Sequence, residues 1–161
     1  MTLLIVYLII AIGVSFLCSI LEAVLLSMTP TFVERLAQDR PRAGAVVQKV
    51  RKRMDESLAS ILILNTFAHT MGAAGVGAQA LNVFGPEMET LVAVLLTLAI
   101  LYFSEIIPKT VGAMYWRGLA IPAAHAIVWL VRLTYPLVWV STRLTKICLL
   151  YTSDAADEVD S

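Results

Sequence analysis

Ser104-Glu105-Ile106-Ile107-Pro108-Lys109-Thr110 is the stretch on which the fold turns. Glu105 closes an apolar run that carries no other charge back to Leu91. A carboxylate in that position has to sit at a membrane boundary or inside a polar pocket. Pro108 lies three residues on, and it has no N–H to offer the carbonyl of Ser104, while its ring crowds that carbonyl. An opened backbone beside a carboxylate is a place where a cation can be held, so an ion site is the first expectation.

Working outward, the composition fits a membrane protein. The 161 residues are 59% hydrophobic and 15% charged, against about 25% charged in ordinary soluble domains. Mean hydropathy is +0.82. A bilayer crossing takes about 20 apolar residues, and three stretches qualify. They run from Leu3 to Met28 with Glu22 as its one charge, from about Ser57 to Val83 with none, and from about Leu91 to Ile107. The stretch from Leu119 to Leu150 is apolar but divided by Pro122, Arg132, Pro136 and Arg143. It reads as a cytoplasmic interfacial helical hairpin anchored by Trp116, Trp129, Tyr135 and Trp139; a single true span is the alternative. The expected fold is therefore all-α and integral to the membrane, with three transmembrane helices, a backbone broken at Pro108 and that hairpin. Cys18 and Cys148 are far apart and form no Cys-x-x-Cys pair, which removes disulfide frameworks and zinc from consideration.

A net charge of zero hides a marked asymmetry. Arg35, Arg40, Arg42, Lys49, Arg51, Lys52 and Arg53 lie between the first two spans, and Lys109, Arg117, Arg132, Arg143 and Lys146 follow the third. The connection from Asn82 to Thr90 carries only Glu87 and Glu89. The positive-inside rule then places the N-terminus outside and the basic loop and C-terminus in the cytoplasm of a multi-pass protein of the cell (plasma) membrane. The first span lacks a basic n-region and reads as retained rather than cleaved. The basic loop should form two helical pieces divided near Arg40-Pro41. It reads as a solvated connector or as a surface for anionic lipid headgroups, and no nucleic-acid partner is expected.

The polar residues within the spans share a depth. Glu22 lies seven residues before Thr29, Asn65 eight after Ser57, and Glu105 at the inner end of the third span. Ser15, Ser19 and Glu22 share one helical face, as do Asn65, His69 and Gly72, with Ala68 and Gly75 as small residues for close approach. Hydroxyl, amide and carboxylate oxygens suit a hard cation; Mg²⁺, Ca²⁺, Mn²⁺ and Na⁺ all remain open on this chemistry. Each group also has a plainer role: Glu105 pairing with Lys109 four residues on, Ser19 bonding a backbone carbonyl, Asn65 joining helices, and His69 packing or hydrogen bonding. Glu22 is hardest to explain that way, because a charge at a helix centre costs about 2.5–3.5 kcal/mol even on lenient scales. No nucleophile–base pair is visible, so an enzyme is not expected.

Three motifs now carry a resemblance. Ser19-Ile20-Leu21-Glu22-Ala23-Val24-Leu25-Leu26-Ser27, Leu62-Ile63-Leu64-Asn65-Thr66 and the segment from Ser104 to Thr110 resemble, in order and spacing, the span motifs of the CorB/CorC/cyclin-M family. The resemblance covers roughly Leu3 to Lys146 and the transmembrane domain only. It implies a homodimer in the lipid bilayer with three spans, a re-entrant break at the proline segment and a cytoplasmic belt of short helices. It also implies Mg²⁺ export, with Na⁺ as the coupling ion, through an inward-facing site. The implied ligands are Ser19, Asn65 and Glu105, joined by Ser27 and the Ser104 carbonyl, with Glu22 as a neighbour. His69 departs from the pattern, standing where many relatives have a second Asn. A membrane scaffold or regulatory subunit without transport is the competing expectation. Residues 1–150 are expected to form the domain. Residues 151–161 read as an acidic disordered tail that resembles translated sequencing-adapter read-through, and the nucleotide-binding CBS modules usual in the family are expected to be absent.

Overall fold

A computed structural model describes residues 2–159, with side chains described to Val140 and at Arg143 and Leu144. It contains six α-helices and no strand among the described residues. Helix α1 (Thr2–Ser27) is long enough, at about 1.5 Å per residue, to cross the ~30 Å hydrocarbon layer. The basic loop forms α2 (Pro30–Asp39) and α3 (Pro41–Lys52), divided where expected. Pro41 pushes the preceding residue out of the helical region, and Arg40 takes φ −138° and ψ 78°. Gly44 lets the pair fold tightly, since a Cβ there would meet the backbone of Ala37 and, at 2.9 Å, the carbonyl of Leu36.

Helix α4 (Met54–Phe84) is the second span. Its start is tied down by Ser57, whose hydroxyl donates to the carbonyls of Arg53 at 2.8 Å and Val50 at 3.3 Å. Its end is Gly85, at φ +82°, whose N–H closes on Leu81 at 3.0 Å. Glycine takes this positive φ without steric cost. Pro86 then opens a short 3₁₀ turn, Pro86–Met88, into α5 (Glu89–Ala99).

The third span departs from expectation in two places. The opening expected at Pro108 is a π-helical segment, Ile100–Ile106, that runs directly into α6 (Ile107–Val159). Ile107 N–H bonds the Tyr102 carbonyl five residues back. A wide turn of this kind absorbs the donor that proline lacks without the chain leaving the helix, so the backbone beside Pro108 is opened by a π-helical bulge. The non-helical residue comes later, at Tyr115, with φ −103° and ψ 15°.

The second departure is the C-terminal hairpin, which is one helix after the Tyr115 kink. Pro122 and Pro136 both sit inside α6, on its exposed side. An interior proline costs a helix ~3 kcal/mol, and here the opposite face offsets it. Ala120, Ala123, Ala124, Ile127 and Leu130 recur at helical spacing and are buried against Cys18, Val24, Leu25 and Met28 of α1, Val33, Val47 and Val50 of α2–α3, and Ile61 of α4. Fully burying one such large aliphatic side chain is worth about 1.5–3 kcal/mol in water. Of the expected aromatic anchors, Trp129, Tyr135 and Trp139 are exposed. Trp116 instead packs edge-on against Phe32, ring centroids 4.9 Å apart. The expectation for residues 151–161 falls where side chains lie outside the described residues.

The core thus gathers at one end of the molecule, where α1, α4 and α6 meet the α2–α3 pair. The other end is looser and exposes apolar side chains such as Leu3, Ile9, Ile10, Leu91 and Leu95, as a lipid-facing surface does. Three helices are long and apolar enough to cross a membrane, and the protein is a multi-pass membrane protein.

Candidate functional site

Small residues bring α1 against its neighbours. A Cβ on Gly72 would collide with that of Ala11, and one on Gly75 would lie 2.7 Å from the Tyr7 ring. On the other side, a Cβ on Gly112 would lie 2.9 Å from the Ala23 Cβ and 3.0 Å from the Ile20 carbonyl oxygen. Helix α1 is thereby pressed between α4 and α6, and it also packs against the π-helical segment.

That closeness lets short polar side chains meet. The Ser15 hydroxyl donates to Asn65 Oδ1 at 2.7 Å, in a buried bond between α1 and α4. Ser15 Oγ also contacts His69 Nε2. The other ring nitrogen, His69 Nδ1, lies 3.8 Å from Glu105 Oε1. Asn65, Ser15 and His69 are thus joined across α1 and α4, and Glu105 of the π-helical segment lies on the far side of the His69 ring, beyond hydrogen-bond distance.

Ser19 and Ser104 behave differently. Both side chains are fully buried, and neither hydroxyl has a hydrogen-bond partner among the described residues. A buried hydroxyl left unpaired costs about 1–3 kcal/mol, and in a native fold it calls for an explanation such as an ion. The alternative of Ser19 bonding a backbone carbonyl is not what the structure shows. Other serines and threonines do behave that way: Ser60 donates to Glu56 and Thr110 to Ile106, each at 2.8 Å.

Lys109 reaches Glu22. Its Nζ lies 3.3 Å from Glu22 Oε2, so the pairing of Lys109 with Glu105 gives way to an interhelical ion pair between α6 and α1. Glu22 is balanced by this cation, which makes its place in a membrane helix affordable. Ser27 is the last residue of α1, half-buried, two turns below Ser19.

Of the expected residues, the structure therefore brings Asn65 and Glu105 to either side of Ser15 and His69, leaves the Ser19 and Ser104 hydroxyls without a partner among the described residues, and pairs Glu22 with Lys109. Sequence reasoning placed Ser15 and His69 on the right faces but did not assign them the bridging position. The signal was there: Ser15 lies one turn from Ser19, and His69 one turn from Asn65. Among the described residues no three His, Cys, Asp or Glu side chains converge, so any metal here would be held by hydroxyl, amide and carboxylate oxygens. Such a donor set fits a hard cation.

Comparison with known proteins agrees with this architecture. Residues 6–160 match the family described as the cyclin M transmembrane N-terminal domain. The UPF0053 protein sll1254 of Synechocystis is 32% identical over 130 residues, covering 81% of this chain and 38% of that protein. A UPF0053 protein of Haemophilus influenzae is 30% identical over 125 residues, covering 78% of this chain and 30% of its own. The UPF0053 inner membrane protein YfjD of Escherichia coli is 26% identical over 117 residues, covering 73% and 27%. The chain spans about a third of the length of these curated relatives. With its three spans, and with a match running almost from end to end, the chain belongs to the cyclin M transmembrane-domain family.

Proposed function

We propose that this protein carries Mg²⁺ across the membrane, as an exporter driven by exchange with Na⁺, through an inward-facing site of Ser19, Asn65, Ser104 and Glu105. The supporting observation is the pair of fully buried hydroxyls, Ser19 Oγ and Ser104 Oγ, that lack partners on helices packed together. The side chains of Ser19, Asn65 and Glu105 and the carbonyl or hydroxyl of Ser104 would replace part of the ion's water shell, with Ser27 at the cytoplasmic approach. Mg²⁺ keeps several waters and is held through one or two carboxylates. Glu105 would supply that charge, while Glu22 is already paired with Lys109.

This reading takes the basic α2–α3 pair and the C-terminal helix as cytoplasmic, in line with the positive-inside rule, and a homodimer as the working unit. The neighbouring His69 gives release a path: a cation on Glu105 would alter the contact with His69, and the α1–α4 contact through Ser15 would change with it.

A scaffold without transport explains the Asn65–Ser15–His69 chain as interhelical glue. It leaves the Ser19 and Ser104 hydroxyls unaccounted for, which favours transport. The test is Mg²⁺ flux in proteoliposomes with a Na⁺ gradient imposed in either direction, for the wild type and for Asn65→Ala and Ser104→Ala. Flux that follows the gradient and is lost in both variants is expected. Flux unchanged by both variants would overturn the site. Absence of both flux and Mg²⁺ binding would leave the scaffold reading in place.

A further inference from the structure

A cleft of about 290 Å³ lies away from the polar layer, between the α3–α4 corner and α6. Its walls carry Lys49, Arg53, Arg132 and one acid, Glu56, together with Val50, Val128, Val131 and Tyr135. Its charge is uneven: Arg53 is held by Glu56 at 3.3 Å, whereas Lys49 and Arg132 have no carboxylate within ion-pair distance among the described residues.

The way the cleft is built explains why those two cations share it. Lys49 lies in the last turn of α3, and Arg53 is the corner residue between α3 and α4. Val128, Val131, Arg132 and Tyr135 recur at three- and four-residue spacing along one face of α6. Ser57, which locks the corner, also lines the cleft and marks the point on α4 where charged residues stop and the apolar span begins. The cleft therefore sits at the level where headgroups meet acyl chains.

We propose that this cleft binds the phosphate of an anionic membrane phospholipid. Lys49 and Arg132 would grip the phosphate oxygens, Arg being suited to paired hydrogen bonds. Tyr135, exposed and lining the cleft, would add its hydroxyl, and Val128 and Val131 would lie along the first carbons of an acyl chain. A soluble phosphate has the same anionic chemistry but no use for the valine wall, which is followed on the same face of α6 by the exposed ring of Trp139, one turn beyond Tyr135. The lipid would tie α3 to α6, two elements joined otherwise by apolar packing in the core.

The test uses the full chain in nanodiscs of zwitterionic phosphatidylcholine, with and without one-fifth phosphatidic acid, reading retained lipid by native mass spectrometry and the melting temperature. The wild type should retain phosphatidic acid preferentially and melt higher with it. Lys49→Gln with Arg132→Gln should weaken retention about thirtyfold, from the loss of two headgroup contacts, while Arg42→Gln, a basic residue outside the cleft, should change it little. Equal losses in the two variants would overturn the proposal in favour of diffuse surface charge. Inorganic phosphate that displaces the retained lipid, or raises the melting temperature equally in zwitterionic discs, would overturn the lipid as the source.

Discussion

The hydroxyl of Ser15 donates to the side-chain oxygen of Asn65 at 2.7 Å, joining α1 to α4 through a buried bond at the level of the polar layer. Because both groups are shielded from water, losing one partner strands the other. Ser15→Ala and Asn65→Ala are each expected to lower the unfolding free energy by about 1–3 kcal/mol. In a double-mutant cycle the two should couple by about 0.6–1.7 kcal/mol, the range for such bonds in membrane helices. Equilibrium unfolding in mixed micelles measures this, and zero coupling would contradict the bond.

The α1–α4 crossing rests on the absence of a side chain at Gly72, where a Cβ would overlap that of Ala11. Gly72→Ala should therefore cost about 1–3 kcal/mol by overpacking, and adding Ala11→Gly should restore most of it. Gly77→Ala, in open space on the same helix, should stay within about 0.5 kcal/mol of wild type. Melting temperatures of the four proteins decide it; a failure of Ala11→Gly to rescue would rule out this contact as the cause.

Ser19 and Ser104 make an unusual prediction about sign. Replacing a buried, unpartnered hydroxyl by a methyl group removes a desolvation penalty, so Ser19→Ala and Ser104→Ala should leave the divalent-free protein as stable or up to ~1 kcal/mol more stable. With Mg²⁺ at a hundred times its dissociation constant, the wild type should gain about 2.7 kcal/mol, and each variant less than half of that. Thermal unfolding with and without Mg²⁺ reads both effects. Variants that lose stability without Mg²⁺ would mean the hydroxyls already have partners.

Pro136 tests the continuity of α6. It sits inside the helix on an exposed face, so Pro136→Ala should restore a backbone bond and raise stability by about 1–3 kcal/mol, with a gain in helical circular dichroism. In a hairpin turn the same change would lower stability and leave helix content flat.

Hydropathy, one proline and helical periodicity made much of this protein legible from its sequence. Three apolar stretches set the number of spans, because a bilayer leaves few alternatives to a helix of about 20 residues. Arg40-Pro41 marked the α2–α3 division, because proline restricts the residue before it. The facing positions of Asn65, His69 and Gly72 on one helix and Ser15 and Ser19 on another followed from a 3.6-residue period alone.

Partnership across helices was a matter for the tertiary structure. Lys109 stands four residues after Glu105, a spacing that permits an ion pair within a helix, yet it reaches Glu22 on α1, because Gly112 lets α6 approach α1 closely. His69 was one more polar residue on a face until its ring came between Ser15 and Glu105. Pro122 and Pro136 looked like breaks because local propensity counts the lost hydrogen bond but not the buried face from Ala120 to Leu130 that holds the helix together. Local rules determine which face a side chain occupies; only the packing of α1 between α4 and α6 decides which oxygens are satisfied and which, at Ser19 and Ser104, are left free.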